Sequence, residues 1–160
     1  MMKVKSLQEH LPLLALARRA GKTVAFANGI FDILHVGHLR YLAAARRQAD
    51  LLVVGMNSDA STGALKGEGH PIVPQSERAE ILAALECVDY IVVVEDRTCD
   101  RVIRAVRPEV HCKGTDYTPE TVPEAETVAS YGGRVAIVGD PKDHATRDII
   151  ARLRRRPPAS

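Results

Sequence analysis

The chain has 160 residues, a length that suits one domain, with 46% hydrophobic and 26% charged residues, the balance of a globular rather than a disordered protein. A net charge of +2, from 22 basic and 20 acidic residues, argues against a protein that binds nucleic acid by bulk electrostatics. With no Trp, four Tyr and two Phe, it also lacks the aromatics for reading single strands by base stacking.

Residues 6–20 are expected to form a helix. Ser6 is placed to cap it, Glu9 to complete a capping box, and Leu7, Leu11, Leu14 and Ala15 follow helical spacing before Gly21 stops it. The apolar run 23–27 reads as the first strand, followed by a loop and a helix from about Gly37 to Gln48. Residues 51–56 form the second strand, nearly continuous in apolar character, as suits a parallel strand covered on both faces. Residues 57–74 read mostly as loop, on Gly63, Gly67, Gly69, Pro71 and Pro74. A helix over 75–87, a strand over 90–94, a helix over 98–106 with Thr98 as N-cap, and a strand over 109–112 follow. The chain ends with a helix over 123–131 closed by Gly132 and Gly133, a strand over 134–138, and a helix from Thr146 to about Arg155.

Strands alternating with helices predict an α/β fold with a doubly wound, five-stranded parallel sheet. The whole of 1–160 is expected to be a single domain, with 157–160 a disordered tail. In such a sheet the ligand crevice lies beyond the carboxyl ends of the strands. The loops there, 28–38, 57–69, 113–117 and 139–147, hold the unusual residues. Cys87, Cys99 and Cys112 are widely spaced without a CxxC, which points to a reduced compartment rather than a zinc or disulfide site. Neither a membrane-length apolar run nor a signal peptide is seen, so a cytoplasmic protein with no membrane partner is expected. Arg152, Arg154, Arg155 and Arg156 read as cations complementing a helix C-terminus.

The sharpest chemical feature is the string Asn28-Gly29-Ile30-Phe31-Asp32-Ile33-Leu34-His35-Val36-Gly37-His38 between a strand and a helix. Its glycines let the backbone approach a bulky anion, and the N–H groups of the helix start attract negative charge. His35 and His38, three residues apart around Gly37, are spaced to donate hydrogen bonds to one pentacoordinate phosphorus.

This string resembles the (N/T)G-x-FD-x-x-H-x-GH signature of the cytidylyltransferase-like nucleotidyltransferases. From about Leu7 to Leu153 the chain is similar to the adenylyltransferase domain of ADP-heptose synthases, here in a stand-alone form. The likeness includes Asn57-Ser58-Asp59-Ala60-Ser61, Leu65-Lys66-Gly67, Pro74 with Arg78, Lys113-Gly114-Thr115-Asp116-Tyr117, Gly132-Gly133 and His144-Ala145-Thr146. The resemblance implies a Rossmann-like nucleotidyltransferase fold and transfer of AMP from ATP to D-glycero-β-D-manno-heptose 1-phosphate, with Mg²⁺ as cofactor. It implies that His35, His38, Lys66 and Arg78 act on the phosphates: the histidines stabilise the transition state, Lys66 folds over the triphosphate, and Arg78 reaches the sugar phosphate or triphosphate. Asn28, Gly29, Phe31, Asp32, Gly37, Asn57, Lys113, Gly114, Asp116, His144, Thr146 and Arg147 are implied to bind the nucleotide. Asp32 either helps hold Mg²⁺ or orders the loop, and Asn57 either bonds a phosphate or orders the histidine loop. Partners implied are ATP, a sugar phosphate, and a second copy of the chain in a homodimer or higher homo-oligomer.

The chain departs from the family's usual Ser-Thr-Thr at the last helix. Ala145 lacks a hydroxyl, and Arg147 either replaces it with a phosphate contact, changes the preferred nucleotide, or faces solvent. Ile30 stands where Cys or Thr is common, a difference of packing. Cytidylyl or adenylyl transfer to glycerol 3-phosphate, FMN or phosphopantetheine, and a non-catalytic nucleotide-binding regulator, stay open as alternatives.

Overall fold

The computed structural model describes residues 3–141 and 144–155; the expected tail at 157–160, and Arg156, lie outside them. The five aliphatic runs become five parallel strands: β1 (Val24–Gly29), β2 (Leu51–Asn57), β3 (Tyr90–Val94), β4 (Val110–Lys113) and β5 (Arg134–Ile137). Their order across the sheet is β3-β2-β1-β4-β5. Seven α-helices accompany them: α1 (Leu7–Arg19), α2 (Val36–Arg46), α3 (Asp59–Lys66), α4 (Gln75–Ala84), α5 (Asp100–Val106), α6 (Ala125–Ala129) and α7 (Thr146–Arg154). The fold is the expected doubly wound, Rossmann-like α/β sheet.

Alternation along the strands divides the core in two. In β1, Ala25 and Ala27 join one core with Leu42 and Ala45 of α2 and Ala79 and Leu82 of α4. Val24 and Phe26 join the other, with Leu14 of α1, Val102, Ile103 and Val106 of α5, and Val128 of α6. Covering both faces is why the strands read as continuous apolar runs.

The chain lays β2 and β3 to one side of β1, then returns to lay β4 and β5 on the other. The order reverses between β1 and β4, which is where an open α/β sheet leaves a crevice. Register pairs Ala27 with Cys112, so Asn28 and Lys113 follow in step at the crevice floor. Tyr41 of α2 donates its hydroxyl to the Cys112 carbonyl at 2.8 Å, holding α2 against the end of β4.

Local signals explain α1. The Ser6 N–H donates to Glu9 Oε2 at 2.8 Å and the Glu9 N–H to Ser6 Oγ at 3.3 Å, the expected capping box. The helix packs on α5 and β3 of its own chain through His10 and Leu14; Ala15, expected on that face, is exposed.

Several elements differ from expectation, and α4 ends at Ala84, short of the expected residue 87. Residues 57–74 are not mostly loop: Ser58 caps α3, its Oγ accepting from the Ser61 N–H at 3.1 Å. The surrounding glycines and prolines mask this short helix, which ends where Gly67 takes a φ of 91°. Helix α5 begins one turn position later than expected, with Cys99 rather than Thr98 at its N-cap. Most of the expected 123–131 helix shortens to α6, preceded by a 3₁₀ turn at Pro119–Thr121.

Candidate active site

Strand β1 runs two residues further than its apolar core suggests and carries Asn28 and Gly29 into the crevice. The backbone then turns sharply at Phe31, whose φ of 53° lies in the left-handed region, at a cost of about 1–2 kcal/mol for a residue with a Cβ. Burial of the ring offsets that cost. Phe31 is 3% exposed and sits edge-on to His38, with ring centroids 5.3 Å apart. A Cβ on Gly29 would lie 3.0 Å from the Phe31 ring, so the glycine leaves the space the ring needs.

His35 is the N-cap of α2, and His38 lies in its first turn. Their rings stack at 3.8 Å with 25° between planes. The His35 N–H donates to His38 Nδ1 at 3.4 Å, which assigns the proton of the neutral His38 ring to Nε2. Burial lowers the pKa of His35, and the neighbouring His144 lowers it further, against the opposing pull of Asp148. A neutral His35 suits the stack, since two imidazolium rings face to face would repel.

The start of α7 meets this loop. Thr146 donates its hydroxyl to the Ile33 carbonyl at 3.4 Å, and the His144 ring centroid is 6.5 Å from that of His35. A Cβ on Gly37 would meet His35 Nδ1 at 3.0 Å and His144 Cβ at 3.2 Å, so Gly37 is what lets α2 and the 144–146 segment approach so closely. Ala145 caps α7 with no side-chain bond. Two helix N-termini, whose first N–H groups have no intrahelical partner, therefore open beside the histidines. That arrangement suits a polyanion.

Below the loop, two charged side chains spend their hydrogen bonds on the backbone. Asp32 is 6% exposed; its Oδ1 accepts from the Ile72 and Val73 N–H groups at 2.8 and 2.9 Å, and Oδ2 lies 3.1 Å from His70 Nδ1. Of the two expectations for Asp32, ordering a loop matches these contacts. Both lone pairs of Oδ1 are used by those N–H groups, so Oδ2, beside His70, is the oxygen that a direct Mg²⁺ contact would need. Arg78, expected to reach a phosphate, is 1% exposed. Its guanidinium donates to the carbonyls of Ile30 at 2.6 Å, Asn57 at 2.8 Å and Val73 at 2.9 Å, and to Asp59 Oδ1 at 2.6 Å. Burial alone would raise the Asp59 carboxyl, but the Gln75 N–H and the Arg78 charge outweigh it and hold its pKa below the usual value. The Asn57 side-chain amide donates to Ser61 Oγ at 2.9 Å.

A third cluster lies at the end of β4. Lys113 Nζ donates to Asn28 Oδ1 at 3.0 Å, sits 3.4 Å from Glu124 Oε2, and lies 5.0 Å from the centroid of the Tyr117 ring. The same carboxylate oxygen is 3.5 Å from His111 Nε2. His111, Glu124 and Lys113 are all buried. Burial by itself would raise the Glu124 carboxyl; His111 and the Lys113 charge outweigh that and bring it down to about 2. Because the folded pKa lies below the unfolded one, Glu124 adds stability above about pH 4.5, and that stability is lost as pH falls toward about 2. The contribution is about 3 kcal/mol at neutral pH. Urea unfolding of wild type and Glu124→Gln should therefore show a gap that is full at pH 6 and shrinks by pH 3. A gap that does not change with pH would remove the assignment.

The structure thus brings together Asn28, Gly29, Phe31, Gly37, His35, His38, His144 and Thr146. Lys66 lies exposed on the last turn of α3, and Gly114 and Asp116 line the loop after β4, where a Cβ on Gly114 would lie 3.1 Å from Asp116 Oδ1. Arg147 faces solvent with 85% of its side chain exposed, 3.8 Å from Asp148. Glu124, His111, Tyr41 and His70 escaped the sequence reading. A histidine inside the buried strand 110–112 was the one available signal for that cluster; Glu124 carried none.

A model described as cytidylyltransferase-like matches residues 26–158. The bifunctional protein HldE of Syntrophotalea carbinolica is 52% identical over 141 residues, covering 88% of this chain and 29% of that protein. The bifunctional protein HldE of Geobacter sulfurreducens is 49% identical over 151 residues, covering 94% of this chain and 31% of that protein. The chain spans about three tenths of the length of these curated relatives. Among solved structures, the lipopolysaccharide core biosynthesis protein from Thermoplasma volcanium superposes with a TM-score of 0.61 at 30% identity, covering 74% of this chain and 95% of that one.

Proposed function

This chain belongs to the cytidylyltransferase-like family, and on that premise we propose that it is a nucleotidyltransferase joining the AMP part of ATP to D-glycero-β-D-manno-heptose 1-phosphate, giving ADP-heptose and pyrophosphate. The observation that carries the reading is the stacked His35–His38 pair where the N-termini of α2 and α7 meet, beside the reversal of the sheet. The likeness to the HldE proteins, and a structural neighbour named for lipopolysaccharide core biosynthesis, support the heptose phosphate as acceptor.

In this mechanism a sugar-phosphate oxygen forms a bond to the α-phosphorus in line as the bond to the pyrophosphate oxygen breaks. A phosphate monoester is already a nucleophile at neutral pH, so the protein need supply no base. Its work is alignment and stabilisation of charge. His38 Nε2–H and the His35 ring donate toward the phosphoryl oxygens. The free N–H groups at the starts of α2 and α7 hold the leaving pyrophosphate. Lys66 approaches the triphosphate from the last turn of α3, and the 113–117 loop approaches the base and ribose. Mg²⁺ bound with ATP would offset the charge that builds on the leaving pyrophosphate.

The test is pyrophosphate release with Mg²⁺ and each of ATP, CTP, GTP and UTP, against the heptose 1-phosphate, glycerol 3-phosphate, FMN and phosphopantetheine. Release with ATP and the heptose phosphate alone is the expected result. Release with a different pair would keep the chemistry and replace the substrate. ATP binding without release from any pair would sink the enzyme reading in favour of a regulator.

A further inference from the structure

We propose that Glu124 is a positioning residue for nucleotide binding: its buried carboxylate holds the Lys113 ammonium against Asn28 Oδ1 and so sets the spacing between the 28–38 and 113–117 loops. The inference rests on the reading of those two loops as the walls of a nucleotide site. Lys113 is the last residue of β4, and Asn28 the last but one of β1. The two strands flank the reversal of the sheet, so the Lys113–Asn28 bond of 3.0 Å ties one wall of the crevice to the other.

That bond needs a counter-charge. Lys113 is 6% exposed, and a buried ammonium without a partner is strongly disfavoured. Glu124, 3% exposed and 3.4 Å away, supplies that charge. Glu124 is the N-cap residue of α6. His111, fully buried, faces the same carboxylate oxygen at 3.5 Å, and among the described residues neither its ring nitrogens nor that oxygen makes a hydrogen bond, so the three groups meet as a cluster of charged and polar atoms. The one oxygen therefore lies within 3.5 Å of both Lys113 and His111. With the Glu124 charge removed, the ammonium gains by swinging out past Tyr117 to water, and Asn28 loses its donor. The loops then hold the nucleotide less well before and during reaction alike, a loss of uniform binding that appears in KM rather than kcat.

The experiment compares wild type, Glu124→Gln and the double variant Lys113→Met with Glu124→Gln. Glu124→Gln should raise KM for ATP about tenfold or more, as expected for loss of a hydrogen bond to a charged group, with little change in kcat. It should also lower Tm. The double variant removes both buried charges, so Tm should recover while KM stays raised, because Asn28 still lacks its donor. A folded Glu124→Gln with wild-type KM overturns the proposal, and so does a double variant whose KM recovers together with Tm. A second readout does not depend on turnover. The Asn28 side-chain NH₂ pair, assigned in ¹⁵N spectra by its loss in Asn28→Asp, should shift in Glu124→Gln. An unshifted pair overturns the positioning role, whereas a shifted pair in an enzyme that releases no pyrophosphate overturns only the proposed activity.

Discussion

His38→Ala should lower kcat by roughly 10²–10³ while the protein stays folded, the usual loss when one well-placed donor to a developing charge is removed. The expectation comes from geometry. His38 is held from three directions: by the stack on His35 at 3.8 Å, by the Phe31 ring edge at 5.3 Å, and by the His35 N–H on Nδ1. A ring restrained this way aims Nε2–H along one direction at little entropic cost when the transition state forms. Steady-state pyrophosphate release, with Tm as the check on folding, decides the matter. Near-normal turnover in a folded His38→Ala protein would remove the role assigned to this imidazole.

Arg78→Met should be the most damaging change to stability. It keeps most of the volume but strands three backbone carbonyls and the Asp59 carboxylate, all now satisfied by one guanidinium. Breaking a buried, charge-assisted set of this kind costs about 3–5 kcal/mol. For a chain of this size that is a fall in Tm of roughly 10 °C. Turnover per folded molecule should fall as well, since Ile30, which begins the turn into the left-handed Phe31, loses its anchor. A phosphate-binding arginine would behave differently: KM would rise and Tm would hold. Thermal melts and KM measured on the same preparation separate the two, and an unchanged Tm would return Arg78 to the substrate side of the loop.

Several elements were legible because their causes are local. Ser6 and Glu9 announce α1, the apolar runs at 51–56 and 90–94 announce β2 and β3, and Gly132 closes the helix before β5. The string from Asn28 to His38 stood out as a candidate phosphate-binding turn because glycines and histidines at that spacing carry meaning without a structure. Helix α3 was hidden by the glycines around it. The bonds made by Arg78 and Asp32 were not legible, for another reason. An arginine after a loop and an aspartate in a signature look like substrate ligands whenever their partners are unknown.

Periodicity and short-range spacing are written in neighbouring residues, so the doubly wound α/β fold could be read from the sequence, and the same local spacing singled out the strand-to-helix turn at residues 28–38 as the candidate site. The partners of the buried charged groups came into view only with the folded chain. Arg78 bonds carbonyls 48 and 21 residues away, and Lys113 meets Asn28 across 85 residues. Such bonds form when strands pair and bury polar groups that must then find partners, and no local pattern records which partner that will be.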